Sequence, residues 1–192
     1  MVADLDTDTL ILGIGNLLWA DEGFGVRCVE ALNRGFVFDD DVRLMDGGTQ
    51  GLFLLPWVSA ASRLLIFDAV DFGLAPGALR VMLDEDVPQY LGAKKISMHQ
   101  TGFQEVLASA RLLHDRPRQL ALVGVQPEQL DDYGGSLRDC VRRRIPEALA
   151  CACAVLDHWG VGFRERDVPL APVELTGPGE LGLAGYEAGR PA

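Results

Sequence analysis

Short apolar runs alternate with amphipathic stretches along most of this chain. The runs TLILGIG (9–15), VRLMDGG (42–48), RLLIFDAV (63–70), ALRVML (78–83) and QLALVGVQ (119–126) read as strands. The first, third and fifth are apolar enough to be buried on both faces, as strands inside a parallel sheet are. Between them, helical spacing predicts helices at about 21–33, 50–59, 100–113 and 138–158. In the first, Val26, Val29, Ala31 and Leu32 form an apolar side, with Arg27 and Glu30 on the wet one. Pro146 predicts that the last helix starts late, with the proline in its first turn, or is kinked. The alternation implies an α/β fold whose helices cover both faces of one sheet. Only DFGLAPG separates the third and fourth strands, too short for a parallel crossover, so these two are expected to form an antiparallel hairpin. The sheet is then mostly parallel with one reversed strand, and ligands should gather outside the carboxyl ends of the parallel strands.

Composition narrows this picture. At 192 residues the chain suits one domain, expected over 1–160. From about 161 the sequence is rich in Gly, Pro and charge without a sustained period, and 161–192 reads as an extended or mobile tail. A formal charge of −11, from 17 Lys and Arg against 28 Asp and Glu, argues against nucleic acid and anionic lipid as partners. No apolar run reaches the roughly 18 residues of a membrane span. The acidic start MVADLDTDT lacks the pattern of a signal peptide, so the expected location is cytoplasmic, without membrane insertion. The four cysteines, Cys28, Cys140, Cys151 and Cys153, contain no C-x-x-C pair and are read as free thiols.

The glycine turn after the first strand raises the question of a nucleotide. In GIGNLL, Leu18 stands where the third glycine of a dinucleotide fingerprint belongs. Asp21 and Glu22 then put negative charge at the helix start, where a phosphate would have to sit. Asp21 is read as the cap of that helix. Glu22 joins two other residues on the same sheet edge. Asp68 ends an apolar strand, and His99 lies in a polar connection before a helix. Two carboxylates and an imidazole from three loops suit a first-row divalent metal, or form a structural acid–histidine pair; spacing leaves both open. Asp46, Gly47 and Gly48 end the second strand as a turn, with Asp46 either a turn aspartate or part of a substrate-facing wall. DDYGGSL (131–137) supplies a further candidate wall, while His114 and His158 read as ordinary helix residues. No G-x-S-x-G elbow, H-E-x-x-H helix or cysteine–histidine pairing is evident.

Together, GIGNLLWADEGFGVR (13–27), DGGTQG (46–51), FDAVDFG (67–73), PGALR (76–80), KKISMHQ (94–100), LVGVQP (122–127) and LDDYGGSL (130–137) resemble the endopeptidases that mature the large subunit of nickel–iron hydrogenases. The wording is most similar to the branch serving membrane-bound uptake hydrogenases. The resemblance spans about 8–158 and implies a three-layer sandwich with a twisted, mostly parallel five-stranded sheet between helices. It implies that Glu22, Asp68 and His99 contact nickel supplied by the substrate, with Glu22 or Asp68 a possible base. It links Asp46, in its DGG turn with Gly47 and Gly48, to substrate or nickel recognition. The implied reaction is removal of a C-terminal peptide from a nickel-loaded large-subunit precursor. Alternatives are a zinc-dependent hydrolase using the same three residues, a nickel-sensing chaperone that binds the precursor without cutting it, and the disfavoured nucleotide-binding domain.

Overall fold

A computed structural model describes residues 7–87, 98–113 and 117–170, with the side chains of 98–102 outside the described set. The chain forms β1 (Thr9–Ile14), a 3-10 turn (Ala20–Gly23) running into α1 (Phe24–Gly35), β2 (Phe36–Phe38) and β3 (Val42–Gly48). A second 3-10 turn (Gly51–Leu54) leads into α2 (Leu55–Ala60), followed by β4 (Arg63–Ala69), β5 (Leu79–Leu83) and α3 (Met98–Leu112). β6 (Gln119–Val125), α4 (Asp139–Arg142), α5 (Ile145–His158) and β7 (Phe163–Glu165) complete the described order.

Five strands form one sheet in the order β3-β1-β4-β6-β5, with every pairing parallel except β5 on β6. This is the expected mostly parallel α/β sheet. The expected hairpin is corrected: β5 is reversed, but β6 lies between it and β4. The physical reason is burial. Leu122 and Val123 of β6 are wholly buried, whereas Val81 and Leu83 of β5 are 42% and 45% exposed, which fits an edge. The connection from β4 to β5 passes around the end of β6, where Val70 N–H bonds Val125 O and Gly77 N–H bonds Gln126 O.

One face of the sheet, with Leu10, Leu12, Leu64, Ile66 and Leu122, packs under α2 and α3; the other, with Ile11, Leu65, Phe67 and Val123, packs under α1 and α5. Alternation along each strand thus feeds two cores and makes three layers. The last long helix is split, and α5 begins at Ile145 with Pro146 in its first turn, where a missing N–H removes no helical bond.

The region after 160 is corrected in part. β7 pairs antiparallel with β2, Phe36, Phe38 and Phe163 cluster with ring centroids 6.0–6.4 Å apart, and Leu170 N–H reaches Arg34 O. The two short strands bury these rings together, so the chain is docked through Leu170. Residues 171–192 of the expected tail lie outside the described residues. All four cysteines are free. Among the described residues, no helix is long and apolar enough to cross a membrane.

Candidate active site

Glycines bring the Glu22 turn down onto the sheet. Gly15 follows β1 with φ +130°, and a Cβ there would lie 1.7 Å from the Glu22 carbonyl oxygen. Only a residue without a side chain lets the chain fold back this closely. At Gly25, a Cβ would lie 2.3 Å from Ile14 O and 2.2 Å from Phe67 O. The first turn of α1 therefore rests directly on the ends of β1 and β4. Glu22 lies three residues before that contact, and Asp68 is the residue after Phe67. Both acids come to the same carboxyl edge.

Asp68 is 5% exposed and continues the alternation of Leu64 and Ile66, on the side of α2 and α3. Glu22 is half-buried. Burial pushes its carboxyl up from 4.5 to about 7, and the negative charge of Asp131 adds to the rise. His99 is the second residue of α3, and its side chain is outside the described residues. The helix packs along α2 and the Gly51–Leu54 turn and ends before β6 begins at the amino edge. Fifteen residues at about 1.5 Å each then carry its first turn toward the carboxyl edge. Among the described residues no three His, Cys, Asp or Glu side chains converge as a metal group. His114 also lies outside the described residues, and His158 closes α5 on the exposed surface.

Asp46 belongs to the other face. It alternates with Val42 and Leu44, which pack on the α1 side. Its carboxyl is raised by burial, against the Gly48 N–H bond and the Arg27 charge, which lower it. Gly47 is buried against Leu12 and Ile14, and Gly48 has φ +44°. The DGG segment is thus a built turn at the strand end. Arg27, expected on a wet helix face, is 4% exposed and pairs with Glu30 at 2.8 Å. Burial raises the Glu30 carboxyl, Arg27 draws it back, and Asp46 raises it further. Arg27 therefore serves two acids beneath the turn.

Asp21 corrects a further expectation. Its side chain does not cap its own helix. The carboxylate is fully buried and accepts the N–H groups of Glu128 at 2.8 Å, Gln129 at 2.9 Å and Arg138 at 2.7 Å. Gln126 was also missed. Its Oε1 accepts Phe72 N–H at 2.7 Å and Leu74 N–H at 3.1 Å, and its Nε2 donates to Asp71 at 3.0 Å. A polar residue directly after the buried apolar run Leu120–Val125 was the available signal.

Several apolar side chains stand exposed in the loops of this edge: Leu18, Leu52, Phe53, Leu74 and Tyr133. Trp19 and Tyr133 meet edge to face with centroids 5.3 Å apart. A half-protonated carboxylate near neutral pH, a buried partner acid and an apolar rim suit water activation beside a bound peptide.

Comparison with known proteins agrees with this architecture. The chain matches the sequence family described as hydrogenase maturation protease over residues 26–155. It is 57% identical to the hydrogenase expression/formation protein HoxM of Azotobacter vinelandii, over 95% of this chain and 87% of that protein. It is 42% identical to the hydrogenase 2 maturation protease of Escherichia coli, over 82% of this chain and 96% of that one. The solved hydrogenase-maturating endopeptidase HybD from E. coli superposes with a TM-score of 0.79 at 39% identity, covering 83% of this chain and 98% of that one. The chain belongs to the hydrogenase maturation protease family. It is accordingly a hydrolase that processes a hydrogenase precursor.

Proposed function

We propose that this protein is the endopeptidase that removes the C-terminal peptide from the nickel-loaded precursor of a nickel–iron hydrogenase large subunit, of the membrane-bound uptake type. The observation that carries the reading is the descent of Glu22 and Asp68 onto one carboxyl edge, through the close seat of Gly25 on Phe67 and Ile14. Relatives named HoxM and HupD support the uptake assignment.

In this reading nickel arrives as part of the substrate, and Glu22, Asp68 and His99 contact it. Two carboxylates and one imidazole suit such an ion and leave positions for the precursor's own ligands. A nearby cation would also favour the ionised form of Glu22. When bound, nickel anchors the precursor and can polarise the scissile carbonyl. Glu22 or Asp68 takes the proton from the attacking water. Asp46, Gly47 and Gly48 form a wall that recognises the loaded precursor.

The test is intact-mass spectrometry of a precursor incubated with this protein, with and without nickel loading. Loss of a C-terminal peptide only from the loaded form is expected. Cleavage of both forms would place the metal on the enzyme, and binding without cleavage would replace the peptidase by a chaperone.

A further inference from the structure

We propose that Asp21 and Gln126 are positioning residues that use the loop after β6 to fix the separation of Glu22 and Asp68. The task of the two acids rests on the peptidase reading above; how they are held rests on the geometry alone. Pairing between β1 and β4 ends at Gly13 with Phe67. Beyond it, Glu22 sits on a turn and Asp68 on a strand end that leads into a loop. The seat of Gly25 on Phe67 and Ile14 joins the two segments at one point, and each acid lies beyond it on a segment that needs a further hold.

The loop 126–138 supplies that hold. The buried Asp21 carboxylate takes the N–H groups of Glu128 and Gln129 near the loop's start and of Arg138 at its finish, as charge-assisted bonds out of water. The same contact is reinforced by backbone: Ala20 N–H to Gly135 O at 3.1 Å, Asp21 N–H to Gln129 O at 3.1 Å and Gly134 N–H to Leu18 O at 2.7 Å. Ala20 itself is held at φ +38°, a conformation that a non-glycine residue keeps only when its surroundings impose it. From the first residue of the loop the Gln126 amide binds the segment just past Asp68, through Phe72 and Leu74 N–H and the Asp71 carboxylate. One strap thus clamps the segment carrying each acid.

The test combines amide hydrogen exchange with steady-state processing of the nickel-loaded precursor. Asp21→Asn keeps the shape but turns an NH₂ toward an N–H donor. Arg138→Pro removes one of the bonded N–H groups from the other side, at a residue whose φ of −63° proline accepts. Arg138→Ala keeps that N–H and deletes only the 2.9 Å ion pair to Asp132. Asp21→Asn and Arg138→Pro are expected to speed exchange at Ala20–Glu22 by about tenfold or more, leaving core amides of β1 and β4 protected. They should lower kcat by about tenfold to a hundredfold, the scale of a small misplacement, with KM within about threefold. Arg138→Ala should change neither. Gln126→Leu should free the amides of Phe72 and Leu74 in the same way. Unchanged exchange at Ala20–Glu22 in Asp21→Asn would overturn the proposal. So would a kcat loss shared by Arg138→Ala, or loss of core protection in parallel with activity. Wild-type protein that leaves the precursor intact would sink the peptidase reading, and the exchange results would still decide the strap.

Discussion

Gly25→Ala sets two physical effects of opposite sign against each other. In an exposed helix interior, glycine to alanine gains about 1 kcal/mol from propensity and from a less flexible unfolded chain. At Gly25 the new Cβ would lie 2.2 Å from Phe67 O, 2.3 Å from Ile14 O and 2.8 Å from Ile14 N. Ordinary contact begins near 3.4 Å, so α1 must back away by about 1.2 Å, or two central strands must yield. These are backbone atoms of paired strands, which cannot rotate aside. Overpacking against side chains already costs about 1–3 kcal/mol, and a backbone clash belongs at or above the upper end. The expected net loss is about 2–4 kcal/mol. Urea unfolding followed by circular dichroism measures it, with an unchanged slope showing that the same surface is exposed. Gly35→Ala is the control, because an added Cβ there meets nothing within 4 Å; it should be neutral or slightly stabilising. A Gly25→Ala protein as stable as wild type, or more stable, would refute the seating of α1 on β1 and β4. Where the variant is still folded, processing should fall, because the shift carries Glu22 off the edge.

Three further outcomes follow from the site. Glu22 holds its proton more tightly in the fold, at about 7 against 4.5, so stability should decline as pH rises from about 4.5 through 7. Glu22→Gln should flatten that decline and gain about 1–2 kcal/mol at pH 8 after discounting for solvent screening, measured by urea titration across pH; an unchanged slope would remove the burial argument. His99→Ala should abolish processing by about a hundredfold while leaving the unfolding midpoint within experimental error, and normal cleavage would dismiss the three-residue site. Phe53, 84% exposed on the Gly51–Leu54 turn, contributes little to folding, so Phe53→Ser should change stability by less than about 0.5 kcal/mol. The same variant should weaken precursor binding in a titration, and unaltered affinity would exclude that turn from the docking surface.

What the sequence determined by itself is what short-range chemistry controls. The buried runs of β1, β4 and β6 read as interior strands, because they are short and their apolar residues do not alternate with polar ones. Pro146 placed the start of α5 because a ring without an N–H is tolerated in the first turn and not beyond it. The motifs around Glu22, Asp68, His99 and the DGG turn were legible because a turn or a strand end needs particular residues next to one another. The tertiary structure decided what depends on distant partners. A seven-residue link fixes that β5 reverses, but the choice of β6 as its neighbour depends on which strand is buried on both sides. Phe36–Phe38 found β7 because three rings could cover one another across more than a hundred residues. Asp21 and Glu22 are adjacent acids that look interchangeable in the chain. Folding sends one into three backbone N–H groups and leaves the other half-buried over the strand ends, since local sequence fixes where a carboxylate is attached, while packing fixes which donors surround it.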